Sequence, residues 1–187
     1  MSKLIIVSAP SGTGKTTIVE AALKESNKIM ERVITHTTRP IRNQTGEKDG
    51  IDYHFVSDLE FAKLKNNNQF LETATIYGNQ YGTSKQSVAD VIDKGKHAIL
   101  VIDVQGADNI RLMDLSERVF IFIKPPSFED LERRLINRGT ESSQDLSLRL
   151  NNYQFEISQA KFFDIVLTNH DLAATIEDFL KVIKTYQ

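Results

Sequence analysis

A short apolar run, Leu4-Ile-Ile-Val7, leads directly into Ser8-Ala-Pro-Ser11-Gly12-Thr13-Gly14-Lys15-Thr16-Thr17. An unbroken apolar run of this length is what a strand buried on both faces of a parallel sheet shows. Beyond Thr16, the apolar residues Ile18, Val19, Ala22 and Leu23 recur at the spacing of one helix face. The loop between them fits the pattern G-x-x-x-x-G-K-S/T, except that Ala9 replaces the first glycine. Gly12 and Gly14 let the backbone turn its N–H groups inward around a phosphate, and the helix N-terminus adds partial positive charge. Lys15 supplies a point charge for a transferring phosphoryl group, and Thr16 a hydroxyl for Mg²⁺. Ser11 to Thr17 therefore reads as a nucleoside triphosphate site. The plainer alternative is a glycine-rich turn that only joins strand to helix.

The rest of the chain supports the same architecture. His97 to Ile102, closed by Asp103, Val119 to Ile123, and Asp164 to Leu167 are further buried-type strands. Helical patterns separate them, over Ser84 to Lys94, Ser127 to Arg138 and Leu172 to Ile183. Buried strands alternating with helices predict an α/β fold, a parallel sheet flanked by helices on both faces. Between the first helix and Ser84 the pattern changes. Arg32 to Thr38 alternates like one strand, Tyr53 to Val56 is a short strand, and Ser57-Asp-Leu-Glu60 has capping-box spacing for a helix to about Asn66. Phe70 to Tyr77 reads as a strand, with Gly78-Asn79 as its turn.

At 187 residues the chain is long enough to bury a core as one compact unit. A net charge of −2 argues against nonspecific nucleic-acid binding. The absence of cysteine excludes a disulfide framework and suits a reducing compartment. No run approaches a membrane span, and the N-terminal apolar run is shorter than a signal-peptide core. The expectation is a cytoplasmic protein bound to neither membrane nor nucleic acid. His36, His54, His97 and His170 show no metal-ligand spacing and read as structural or surface residues.

Phosphoryl transfer depends on positioning and on positive charge where oxygens crowd. Besides Lys15, the sequence offers two arginine groups. Arg39 and Arg42 flank a proline turn, from which two guanidinium forks could grip one phosphate. Arg134 and Arg138 lie one helical turn apart, with Arg149 beyond a polar stretch. Two such groups suggest a donor triphosphate meeting an acceptor phosphate; solvated surface arginines paired with nearby acids remain the alternative.

A resemblance covers essentially the whole chain. Thr35-His-Thr-Thr-Arg39-Pro-Ile-Arg42, Gly46-Glu47 and Gly50-Ile-Asp-Tyr53-His-Phe-Val resemble the guanylate kinase signature. So do Phe70-Leu-Glu72, Gly78-Asn-Gln-Tyr81-Gly-Thr83, Ile102-Asp103-Val-Gln-Gly106, Arg134-Leu-Ile-Asn-Arg138-Gly-Thr140 and Val166-Leu-Thr-Asn169. The resemblance implies a phosphate-loop NTPase core (1–34, 85–127 and 151–187), a GMP-binding insertion (35–84) and a mobile lid (128–150). It implies that Arg39, Arg42, Tyr53 and Tyr81 hold the GMP phosphate. Glu72 would read the guanine edge, with hydroxyls from Thr35 and Thr83 and a contribution from Asp103. An ionised Glu is acceptor-only, and guanine presents N1–H and its 2-amino group side by side. Adenine lacks that donor pair and would leave a buried Glu72 unpartnered.

By the same resemblance, Arg134, Arg138 and Arg149 reach the ATP phosphates, Asn169 lies near the adenine, and Thr16 and Asp103 serve the metal. Catalysis would rest on Lys15, Arg39, Arg134, Arg138 and Arg149. Three positions depart from the family pattern. Arg39-Pro-Ile-Arg42 carries an extra residue before the second arginine, and Asn43-Gln-Thr45 lengthens the link to Gly46. Thr35 replaces the usual serine, and Val101 stands where an acidic residue is usual. The implied activity is transfer of the ATP γ-phosphoryl group to GMP and dGMP with Mg²⁺, giving GDP and ADP. A non-catalytic guanylate-kinase-like binding module is the rival, and retention of Lys15, Thr16 and the lid arginines argues against it.

Overall fold

A computed structural model describes residues 2–42, 46–138 and 143–186, except for the side chains of Arg138 and of residues 143–145. Five strands form a parallel sheet: β1 (Leu4–Ser8), β2 (Met30–Arg32), β7 (His97–Val101), β8 (Arg118–Lys124) and β9 (Ile165–Thr168). Their order is β2-β7-β1-β8-β9, so β1 lies at the centre, paired with β7 and β8. Central placement explains the apolar run: alternate residues of β1 bury against opposite layers. Ile5 and Val7 pack with Ile18, Val19 and Phe179, whereas Leu4 and Ile6 pack with Ala107, Ile110 and Phe122. The first layer is α1 (Lys15–Glu25) and α7 (Leu172–Lys184); α3 (Lys85–Ile92) and α4 (Val104–Arg111) contribute to the second.

Between β2 and α3 the chain builds a second sheet from β3 (His36–Thr37), β4 (His54–Phe55), β5 (Phe70–Ile76) and β6 (Asn79–Ser84), in the order β4-β3-β6-β5. The Ser57 capping box forms as expected and opens α2 (Asp58–Asn66). Two sequence expectations change here. Arg32 to Thr38 is not one strand, because β2 pairs with β7 in the large sheet while β3 pairs with β4 and β6 in the small one. Alternation reports a strand with one face buried and says nothing about which partner each residue finds. The β5–β6 turn also lies one residue earlier than predicted. Ile76 pairs with Asn79, leaving Tyr77 and Gly78 as the loop.

The small sheet is fixed to the core through α4, where the Asn109 amide donates to the Thr73 carbonyl of β5 at 2.9 Å. Two further helices, α5 (Phe128–Arg138) and α6 (Ser143–Ser158), share a local apolar cluster of Leu131, Leu135 and Tyr153. A 3₁₀ turn at Gln159–Phe162 leads from α6 to β9. No helix among the described residues is long and apolar enough to cross a membrane.

Candidate active site

A cleft of about 900 Å³ opens over the loop between β1 and α1, and its walls carry residues of both sheets and of α5 and α6. Such a position, beyond the carboxyl ends of parallel strands, is where open α/β sheets bind ligands. Gly14 stands at the N-cap of α1 with φ 94° and Gly12 has φ 90°, values a side chain disfavours. Gly12 is also sterically required, since a Cβ there would lie 2.7 Å from Leu135 Cδ2 of α5. Lys15 donates to the Ile102 carbonyl at 2.7 Å. Burial lowers its pKa to about 8, a shift that the carboxylates of Asp103 and Glu156 oppose. Phosphate in the loop would supply the negative charge that this ammonium faces.

Several predicted residues bond the phosphate loop itself. The Asn169 amide is buried and donates to the Thr13 carbonyl at 2.7 Å, while its own oxygen accepts from the Thr175 hydroxyl at 3.2 Å. Arg134 donates to the Thr13 carbonyl at 3.3 Å and to the Asn169 carbonyl at 3.0 Å, so both side chains brace the phosphate loop. Thr13 therefore contributes through its backbone, and its own side chain is fully buried. Arg149 donates to the Ser11 hydroxyl. Thr16 and Thr17 are exposed and line the cleft. The Arg138 side chain and residues 43–45 and 139–142 lie outside the described residues.

The small sheet brings the other predicted group together. Glu72 on β5 is 4% exposed, and its Oε1 accepts from the Thr83 hydroxyl at 2.6 Å. Its Oε2 has no hydrogen-bond partner, which is costly for a buried acceptor unless a ligand supplies donors. Burial raises the Glu72 pKa to about 7; the Thr83 hydroxyl opposes that shift and the Asp103 charge adds to it. Thr83 is fully buried and orients Glu72, whereas Thr35, Tyr53, Tyr81 and Arg42 line the cleft.

Arg39 donates to both oxygens of Glu47, at 3.0 and 2.8 Å, a bidentate pair that fixes its orientation, and its guanidinium carbon lies 5.5 Å from the Tyr53 ring centroid and 5.6 Å from that of Phe55. Asp103 accepts from the Gly106 amide at 3.0 Å and so caps α4. Val101 ends β7 at the cleft, where it adds no charge.

The family profile described as guanylate kinase matches residues 1–186. The chain belongs to the guanylate kinase family. It is 41% identical to the guanylate kinase of Prochlorococcus marinus subsp. pastoris, over 99% of this chain and 98% of that protein. It is 46% identical to the guanylate kinase of Neisseria meningitidis serogroup A, over 96% of this chain and 86% of that protein. The crystal structure of guanylate kinase from Anaplasma phagocytophilum superposes with a TM-score of 0.81 at 33% identity, covering 100% of this chain and 86% of that one.

Within this guanylate kinase fold, two carboxylates escaped the sequence reading. Glu47 sits in a loop, where no periodicity marks it; Gly46-Glu47 was legible only as part of a signature. Glu156 of α6 lines the cleft with Lys15, Asp103 and Arg149, and burial raises its pKa to about 7, a shift that the Lys15 and Arg149 charges oppose and the Asp103 charge adds to. Its spacing of seven residues from Arg149 and three from Tyr153, on one helix face, was the available signal.

Proposed function

We propose that the chain transfers the γ-phosphoryl group of ATP to GMP and dGMP, yielding ADP and GDP, as a cytoplasmic enzyme of purine nucleotide metabolism. The observation that carries this reading is Glu72: a buried acceptor with one unpartnered oxygen, in the same cleft as the phosphate loop. The guanine N1–H and 2-amino donors match it, and the ribose 2′-hydroxyl plays no part in that contact, so dGMP is also accepted. Arg39, oriented by Glu47, and Arg42, Tyr53 and Tyr81 would take the acceptor phosphate. Lys15 and the loop amides would hold the donor phosphates, with Arg134, Arg138 and Arg149 placing positive charge where the γ-phosphoryl group moves.

The residues fit a Mg²⁺ ion that arrives with ATP. Among the described residues no group of three His, Asp or Glu side chains forms a cage, but Mg²⁺ on a nucleotide needs only one or two protein ligands beside the phosphates. The exposed Thr16 hydroxyl and Asp103 would supply them. When bound, the ion neutralises charge on the phosphate oxygens. The segment 128–150 would act as a lid that keeps water, a competing acceptor, out of the cleft.

A coupled ADP-release assay with GMP, dGMP, AMP, UMP and CMP tests this reading. Turnover with GMP and dGMP alone, lost in Glu72→Ala, is the expected result. Tight GMP binding without turnover would favour a non-catalytic binding module instead.

A further inference from the structure

The β5–β6 hairpin carries an aromatic residue that its turn chemistry does not select. Tyr77 and Gly78 form a two-residue loop with φ 49° and 79°. Turns with positive φ at both central positions favour Asn-Gly, and a bulky side chain there is strained. Yet the Tyr77 side chain reaches into the cleft and meets α6. The Arg149 guanidinium carbon lies 5.7 Å from its ring centroid, and its hydroxyl accepts from the Asn152 amide at 3.4 Å. Arg149 is only 9% exposed and also donates to the Ser11 hydroxyl of the phosphate loop. The arginine is thus held between the tip of the small sheet and the start of the loop. Its guanidinium plane and five donors are useful to a phosphate only in a fixed orientation.

We propose that Tyr77 is a positioning residue for phosphoryl transfer: its ring holds the Arg149 guanidinium over the phosphate loop and joins the acceptor-side hairpin to α6. This rests on the reading of Arg149 as a donor-phosphate residue. Seating an acceptor nucleotide against the small sheet then also sets the arginine that faces the donor. Backbone strain at Tyr77 persists because the ring has this use.

The decisive variant is Tyr77→Asn, which relieves the turn and removes the ring. The expected result is a melting temperature equal to or above the native one, with kcat reduced about tenfold, the scale of one desolvated cation–π contact. KM for ATP and GMP should stay within about twofold, because the contact orients a group rather than binding either substrate in the ground state. Tyr77→Phe keeps the ring, loses only the Asn152 contact, and should hold kcat within about threefold of native.

On an Arg149→Lys background, Tyr77→Asn should cost nothing further, since the group it positions is gone. Native kcat in Tyr77→Asn, or a loss that adds in full to that of Arg149→Lys, overturns the inference. Native kcat in Arg149→Lys overturns the donor-side reading of Arg149 and the inference with it. An impaired Arg149→Lys beside an unimpaired Tyr77→Asn overturns the inference alone.

Discussion

Glu72 should release a proton when GMP binds near neutral pH. Its carboxyl titrates at about 7 in the nucleotide-free protein because it is buried. Two guanine donors need an acceptor-only carboxylate, so the bound form is ionised. With a pKa of about 7, Glu72 is about 0.75 protonated at pH 6.5 and about 0.1 protonated at pH 8. Binding must expel that fraction. The same arithmetic makes the apparent Kd for GMP about tenfold weaker at pH 6 than at pH 8 through Glu72 alone, or about 1.4 kcal/mol.

Isothermal titration calorimetry in two buffers of different ionisation enthalpy reads the proton count directly. The phosphate of GMP, with its second pKa near about 6, adds its own smaller release. Glu72→Gln, titrated to saturation, should retain that part and lose the rest. Equal proton release by the native protein and Glu72→Gln at pH 6.5 would refute the argument, since it would mean that Glu72 is already ionised or does not face the base.

The same carboxyl governs folding stability. Its native pKa lies above the unfolded value of 4.5, so the native state binds the extra proton; the cost is absent below about pH 4.5, grows as pH rises and is complete above about pH 7. Nucleotide-free Glu72→Gln should therefore unfold at a higher urea concentration than the native protein at pH 8, by up to about 3 kcal/mol, with the gain vanishing near about pH 4.5. Gly106→Ala tests the steric setting, because its Cβ would fall 2.9 Å from Glu72 Oε2. It should raise KM for GMP about tenfold, roughly one displaced hydrogen bond to a charged group, and leave KM for ATP unchanged; equal effects on both substrates would count against Glu72 as the base reader.

Much of the large sheet was legible because burial on both faces leaves one sequence trace, the unbroken apolar run of Leu4–Val7, Ala98–Ile102 and Val119–Ile123. The small sheet was harder. Residues 32–38 alternate throughout, yet Val33 donates its amide to Ile99 of the large sheet while His36 pairs with Gly82 of the small one. Where a chain crosses from one sheet to another is decided by tertiary partners. In the site, Gly12, Gly14 and Lys15 could be read singly because their chemistry is local. Thr83 and Asn169 could not be placed that way: both were named for nucleotide contact, but the structure buries them, one bonding Glu72 and the other Thr13. Whether a polar side chain faces the ligand or the residue that faces it depends on a wall thickness of one side chain, which sequence spacing does not encode.

The contact of α4 with β5 also bears on how the protein avoids its own copies. A sheet edge presents a row of bare peptide groups that any extended chain can extend. Here β2, β9 and β4 are edges of only three, four and two residues, too short to template much. The seven-residue edge strand β5 is the exposed risk, and α4 lies along it with Asn109 engaging the Thr73 carbonyl. Any movement of the small sheet large enough to lift β5 off α4 would uncover a strand able to recruit another molecule. The helix that Asp103 caps thus sets how far the small sheet could move and still keep that edge covered.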